Sequence, residues 1–219
     1  MNVVSVNVGL PREVVWKNTA VQTAIFKEPV QGQVEISSLN LAGDKQADLT
    51  VHGGTDKAVY AYPSEHYAYW RHALPDAALS WGNFGENLTT EGLAEDTLCI
   101  GDRLRIGSAV LTVTQPRMPC YKLPIRFNRD DMIKRFLASR RPGFYFSVVK
   151  EGEVSAGSEV EFLSRDPERV SVIDIVDLYL GEKRDPALLQ RALRVGALPE
   201  NWKSALASRA DGQHRDRSA

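Results

Sequence analysis

The first candidate for chemistry in the sequence is Cys120, which lies in residues 115–122, reading QPRMPCYK. Two prolines stiffen this segment, and Arg117 and Lys122 flank the thiol. Nearby cations stabilise a thiolate, the form that attacks electrophiles and binds soft metal ions. The alternative is a buried structural cysteine, the commonest fate of a free thiol. Cys99 stands between two apolar residues without an adjacent cation, which predicts a core residue inside a strand.

A second polar segment covers residues 43–57, which read GDKQADLTVHGGTDK. It brings together acidic side chains, His52, the pair Gly53 and Gly54, and Lys57. Glycines let backbone N–H groups approach an anion closely, and Lys57 would add positive charge. The segment therefore predicts phosphate contacts, with an ordinary hairpin turn as the alternative.

Two further segments could recognise a polar ligand. Asn87, in residues 84–90 (FGENLTT), offers a donor and an acceptor to the edge of a heterocycle. Arg140 and Arg141 precede a Pro-Gly turn and could clamp an anion. The alternative for the arginine pair is a solvated helix end, where cations meet the negative end of the helix dipole.

Many short strands must position these residues. Alternating or β-branched runs predict strands at residues 3–10, 20–25, 33–36, 57–62, 96–115 (two strands around a turn at 106–108), 143–150 and 158–163. Helices are predicted after Ser64, a candidate cap, and over residues 128–139, which Asn128 can cap. This pattern predicts a closed or semi-closed β-barrel core.

After residue 165 the sequence pattern changes from short strands to helices. Ser171 can cap a helix over 172–180, Asp185 and Pro186 open another over 187–193, and a third is predicted over 200–208. The predicted organisation is a β-barrel domain over 1–165, a three-helix domain over 166–210 and a flexible tail over 211–219. A unit of about 45 residues is marginal alone, so we expect the three helices to dock on the barrel.

Composition excludes several classes of protein. The 219 residues carry a net charge of −1, with 43% hydrophobic and 25% charged residues, which is typical of a globular chain and argues against a general nucleic-acid binder. No signal peptide is evident, and the longest uncharged stretches, of 11 residues, are too short to span a membrane. Two cysteines cannot form a disulfide scaffold, so a reducing cytoplasm is expected. No P-loop, G-x-G-x-x-G, G-x-S-x-G or C-x-x-C motif is present.

Several segments occur together, in the same order, in one known family. They read GDKQAD (43–48), VHGG (51–54), DKAVYAYP (56–63), GENL (85–88), GD (101–102) and PRMPCYK (116–122). Over nearly all of residues 1–165 the chain thus resembles the MOSC family, a domain also found at the C-terminus of molybdenum-cofactor sulfurases. The three helices look like the extra domain of the YiiM-like branch.

The resemblance implies a mainly β fold with short helices, in which a MOSC-type barrel-like core precedes a small three-helix domain. It also implies a pyranopterin-bound molybdenum cofactor, with Cys120 as the molybdenum ligand, and the reduction of N-hydroxylated compounds such as N-hydroxylated purine bases, a detoxifying activity. The candidate catalytic residues are Cys120 and His52. The candidate cofactor-binding residues are Gly53, Gly54, Lys57, Asn87, Arg117, Lys122 and Arg141. Pyridoxal phosphate is not expected, because it belongs to the other domain of the sulfurases.

Two other functions stay open at this point. One is a metal-free sulfur carrier or transferase, with Cys120 as nucleophile and His52 as base. The other is a binding module that recruits a partner through its helical tail. For the reductase, the expected partners are a small N-hydroxylated substrate and an electron-donor protein, and a homodimer is compatible with the sequence.

Overall fold

The computed structural model describes the backbone of residues 1–47 and 53–215, and the side chains of the same ranges up to residue 209. The strands are β1 (Asn2–Val8), β2 (Arg12–Trp16), β3 (Thr19–Thr23), β4 (Glu28–Val30), β5 (Val34–Ile36), β6 (Val59–Pro63), β7 (Leu88–Glu91), β8 (Arg103–Ile106), β9 (Ala109–Pro116), β10 (Phe144–Lys150), β11 (Gly152–Val154) and β12 (Val160–Ser164). The helices are α1 (His66–Ala73), α2 (Lys122–Phe127), α3 (Met132–Ser139), α4 (Val172–Leu180), α5 (Pro186–Arg194) and α6 (Glu200–Arg215).

Eight strands form one sheet in the order β12-β8-β9-β10-β6-β7-β1-β4. Neighbouring strands are antiparallel except β6 and β7, which are parallel. The sheet curls so that the start of β1 meets the start of β12. There Asn2 bridges Glu159, and the Val160 N–H donates to the Met1 carbonyl at 3.0 Å. The predicted mainly β, barrel-like core is therefore confirmed.

The two faces of β6 pack against different clusters. Val59 and Ala61 belong to the core inside the barrel, whereas Tyr60 and Tyr62 point into an aromatic layer on its outside. Helices α1 and α3 complete this layer with Trp70 and Phe136, among others. Burial on both faces explains why every residue of β6 is buried. The layer supports the wall on which the candidate site is built.

The three C-terminal helices begin at caps that the sequence predicts. Ser171 accepts the Asp174 N–H in a capping box, and Gly181 ends α4 in the left-handed conformation. Asp185 accepts the N–H groups of the second and third residues of α5, which starts at Pro186. The apolar residues of these helices belong to the same cluster as the barrel interior, so the expected docking is confirmed. Helix α6 reaches Arg215, beyond the predicted end at 208 and into the predicted flexible tail.

Four local predictions were wrong. Asn128 does not begin a helix, because its left-handed backbone (φ 50°) ends α2, and α3 starts at Met132. Ser64 does not cap α1, which begins after Glu65. Cys99 is buried as expected, but it lies in a turn and forms only an isolated bridge to Ser171. The first of the two strands expected within 96–115 begins only at Arg103.

Short elements were missed. Strands β2, β4 and β7 and the six-residue helix α2 have no clear signal in the sequence.

In the part of the chain that the structure describes, no helix is both long and apolar enough to cross a membrane.

Candidate functional site

An open cleft lies where the segment after β9 faces the loop after β5. Its wall includes six of the nine predicted site residues: Gly53, Lys57, Asn87, Arg117, Cys120 and Lys122. Parts of the chain that are distant in sequence complete the wall, among them Lys27, Asp44, Tyr60 and Tyr145. Motifs spread over residues 43–122 thus meet at one place.

Cys120 lies between the end of β9 and the start of α2. It is a free cysteine of intermediate burial, and its carbonyl accepts the Leu123 N–H at 3.0 Å. The next side chain, Tyr121, is 53% exposed, whereas Lys122 is only 5% exposed and lines the cleft beside the thiol. The loop therefore holds a thiol at the cleft surface next to a buried cation.

Arg117 is the clearest sign of an anion site. Its side chain is buried, and its guanidinium lies over the rings of Phe136 and Tyr60, at 5.0 and 5.5 Å from the ring centroids. Its Nη1 atom is buried without a hydrogen-bond partner among the described residues. A buried charged donor without an acceptor is costly, so an anion bound in the cleft would stabilise it. Burial alone would lower the pKa of Arg117, but its neighbours, Tyr60 first and Cys120 next, raise it.

A buried ion pair between Lys27 and Asp44 forms another part of the wall. Asp44 also accepts the Gly9 N–H at 2.8 Å and the Asn87 amide at 2.9 Å. Burial lowers the pKa of Lys27, and Asp44 opposes that shift. Lys27 was missed because it follows β3 without any recognisable motif.

Asn87 lines the cleft, but protein groups already occupy both ends of its amide. Its Nδ2 donates to Asp44, and its Oδ1 accepts the Tyr60 N–H at 3.1 Å. The side chain thus ties the loop before β7 to β6. For the predicted contact with a heterocycle, the Asn87 amide therefore has one N–H and one lone pair still available.

Glu86 holds that same loop in shape. Its carboxylate accepts the hydroxyl of Tyr67, the N–H groups of Gly82 and Phe84, and the hydroxyl of Thr89. Burial raises the pKa of Glu86, although the hydrogen bonds from Tyr67, Gly82 and Thr89 favour the ionised form. Sequence analysis singled out this segment for Asn87 and did not identify Glu86 as the residue that organises it.

The glycine pair adopts the backbone that its residue type allows. Gly53 (φ 94°) and Gly54 (φ 86°) precede the short 3-10 helix Thr55–Lys57, and the Lys57 N–H donates to the Gly54 carbonyl at 3.0 Å. Gly53 and Lys57 line the cleft, whereas Gly54 does not. His52, the other predicted catalytic residue, lies outside the described residues.

The structure does not bring the predicted arginine clamp to the cleft. Arg140 ends α3 and pairs with the buried Asp177 of α4. The Arg141 guanidinium lies 4.2 Å from the centroid of the Tyr69 ring and donates to the Ser139 carbonyl at 2.7 Å. Both arginines make local contacts at the end of α3, which agrees with the alternative interpretation of a helix end.

Tyr145 is a cleft residue that sequence analysis overlooked, since it lies within a strand, as the second residue of β10. It belongs to β10 and packs against Tyr60, with 5.1 Å between ring centroids. Burial raises the pKa of Tyr145, and Arg117 opposes this shift. Its hydroxyl is therefore a proton-bearing group on the cleft wall.

With this geometry in place, comparison with known proteins defines the class of the chain. The model of the MOSC domain matches residues 48–161, and the model of the YiiM-like, 3-alpha helix domain matches residues 170–212. The chain belongs to the MOSC family and carries the YiiM-like helical domain.

Three relatives place it more closely. It is 39% identical over 210 residues to the uncharacterized protein YflK of Bacillus subtilis, covering 96% of this chain and 95% of YflK. The crystal structure of YiiM from Geobacillus stearothermophilus superposes with a TM-score of 0.79 at 32% identity, covering 95% of this chain and 98% of the other. A protein of Gibberella moniliformis named "Reductase" is 35% identical over 158 residues, 71% of this chain and 28% of that longer protein.

Proposed function

We propose that the chain is a molybdenum-cofactor-dependent reductase of N-hydroxylated compounds, with Cys120 as the protein ligand of molybdenum. One observation carries the proposal: a free thiol and a buried guanidinium whose Nη1 has no acceptor among the described residues line the same cleft. The membership in the MOSC family and the relative named a reductase support it.

The residues present fit such a cofactor. In the described ranges, no group of three His, Cys, Asp or Glu side chains could hold a bare metal ion. A pyranopterin brings sulfur ligands of its own to molybdenum, so a site with one protein thiolate fits it. Cys120 would supply the remaining thiolate, while Arg117, Lys57 and Lys122 would hold the anionic end of the cofactor. When bound, the cofactor supplies two-electron oxygen-atom transfer.

The chemistry of the substrate sets the task of the other cleft residues. Reduction of an N-hydroxylated compound breaks one N–O bond, consumes two electrons and two protons, and releases water. The electrons must come from an electron-donor protein. The Tyr145 hydroxyl, whose pKa burial raises, holds a proton within the cleft and can donate a hydrogen bond to the N–OH oxygen.

The test is the molybdenum and pterin content of protein made in a host that synthesises the cofactor. Arg117→Met keeps much of the apolar volume but removes the charge, so we expect it to lower the cofactor content severalfold. Arg141→Met removes an equivalent charge outside the cleft and should keep the wild-type content. The proposal fails if the wild type contains neither molybdenum nor pterin, or if both variants behave alike. A persulfide on Cys120 without metal would favour the sulfur carrier instead.

A further inference from the structure

A second cavity, of about 300 Å³, lies where the barrel meets the helical domain. The end of β9 and the segment after it form one side through Pro116 and Met118. Helix α6 forms the opposite side, which includes Asn201 and Ala205. The volume is at the lower end of the range for pockets that bind small molecules.

This cavity adjoins the cleft that contains Cys120. Lys57 and Tyr145 line both spaces, so the boundary between the cavity and the cleft consists of a cationic and a hydroxyl side chain. Met118, on the cavity side, is only two residues from Cys120. A molecule in the cavity could therefore present one end to the cleft without leaving the helical domain.

The lining suits a flat ring with polar edges. Trp202 and Tyr179 pack together, with 5.1 Å between ring centroids, and both border the cavity. Trp202 is fixed in place, because its Nε1 donates to Gln115 Oε1 at 2.6 Å. Gln115 Nε2 in turn donates to the Asp56 carbonyl at 3.1 Å. A rigid aromatic and amide wall of this kind favours a planar heterocycle over a flexible chain.

Asn201 differs from Gln115 in having its hydrogen-bonding capacity available. It is exposed on α6, and its amide makes no hydrogen bond to any residue that the structure describes. An amide with a donor and an acceptor can pair with the edge of a nitrogen heterocycle. Lys57 is the one cationic side chain in the described lining, which favours an uncharged base over a phosphorylated nucleotide.

We propose that this cavity binds the ring of an N-hydroxylated nucleobase, so that the N–OH group points past Lys57 and Tyr145 into the cleft. The three-helix domain then has a role in substrate recognition, and Asn201 is a specificity-determining residue. The reaction assigned to this ligand rests on the proposed function, whereas its binding to the cavity can be measured without it.

The experiment measures binding of N-hydroxylated adenine to the full chain free of cofactor, by isothermal titration calorimetry. Ala205→Leu adds three carbon atoms to the half-buried α6 side of the cavity. We expect saturable binding to the wild type and at least tenfold weaker binding to this variant. Ser204→Leu adds a leucine to the exposed face of the same helix and should bind like the wild type.

A second variant tests recognition of the ring edge. Asn201→Ala should weaken binding of N-hydroxylated adenine severalfold and leave the melting temperature unchanged, since Asn201 is exposed. In protein that contains cofactor, the same variant should raise the KM for this substrate but not for an aliphatic N-hydroxy compound.

The inference is overturned if the wild type does not bind the base, or if Ala205→Leu and Ser204→Leu bind it equally. The proposed function fails by a different result, namely the absence of molybdenum and turnover. If the base binds but the protein made in a cofactor-producing host contains no molybdenum, the cavity is confirmed as a binding site and the proposed reaction is rejected.

Discussion

Cys99 and Cys120 are both free thiols, but the fold gives them different surroundings. Cys99 is buried, and its backbone N–H donates to Asp102 at 2.9 Å. Burial first, and then the Asp102 carboxylate, raise the pKa of the Cys99 thiol, which disfavours the reactive form. Cys120 instead lines a cleft that also contains Arg117 and Lys122. The pair thus offers a matched comparison between a structural and a functional cysteine.

We expect Cys120→Ala to abolish both molybdenum content and reduction of N-hydroxy compounds, because it removes the only proposed protein ligand. Its fold should change little, since the side chain is only partly buried. Cys99→Ala should retain metal and turnover but cost about 1 kcal/mol of unfolding free energy by deleting a buried group. Metal analysis, turnover and a melting curve check each variant. Wild-type molybdenum and rate in Cys120→Ala would contradict the ligand assignment.

Glu86 allows a second prediction at this scale. Glu86→Gln places an amide NH₂ among groups that already donate, so at least one buried donor loses its acceptor. We expect a loss of about 1–3 kcal/mol in unfolding free energy, measured by urea denaturation. Glu91→Gln, at the exposed end of β7, makes the same chemical change and should cost far less. Equal losses in the two variants would show that the carboxylate does not organise the loop.

Much of the site was predictable because its motifs are local. The segment around Cys120 contributes three predicted cleft residues within six positions, and the segment 43–57 contributes two more, Gly53 and Lys57. Lys27 and Tyr145 were missed because only the pairing of distant strands brings them to the cleft. Arg141 does not line the cleft in the described structure. It contacts Tyr69 and Ser139 near the end of α3, a local role that two adjacent arginines do not reveal in sequence.

Helices and strands were predictable where residues close in sequence determine their ends. Helices α4 and α5 begin at caps whose hydrogen bonds span two or three residues, so a short stretch of sequence is enough to identify them. Strands β4 and β7 have three and four residues and depend on β1, whose position in the sheet no local pattern reveals. The predicted start of a helix at Asn128 was wrong because asparagine is common both before the first residue of a helix and at a left-handed helix end.

The start of α3 allows a prediction on pH. Asp131 accepts hydrogen bonds from Arg129 and Arg135, which lower its pKa to about 2. A carboxylate with a depressed pKa stabilises the fold above its unfolded pKa of about 4 and loses this contribution as the pH falls through about 2. We expect Asp131→Asn to lose less stability than the wild type between pH 4 and pH 2, measured as urea midpoints relative to pH 7. If the urea midpoints of the two proteins fell equally between pH 4 and pH 2, the depressed pKa of Asp131 would be contradicted.

At the scale of the whole molecule, the barrel and the helical domain share one core. Val172, Ile175 and Trp202 belong to the same apolar cluster as the barrel strands, and α4 packs on β9. Arg140 and Asp177 add an ion pair between the two parts. The helices therefore cover barrel surface that would otherwise meet water.

Truncation after Arg165 should expose this surface and cause aggregation, because large apolar patches associate in water. Size-exclusion chromatography with light scattering would detect the larger species. The full chain, purified in the same way, is the control. A truncated chain that stays monodisperse would show that the helices contribute little cover. If it also lost turnover, their role would lie in the site.

The meeting of β1 with β12 has a consequence for how the chain acquires its fold. Asn2 finds its bridge partner at Glu159, so the first strand cannot complete its pairing until more than two thirds of the chain has been synthesised. Until then, Val3 and Val6, which the finished barrel buries completely, have no closed interior to enter. Contacts across such a sequence separation form slowly. Val3 and Val6 should therefore reach their final burial late in folding, when Glu159 closes the barrel.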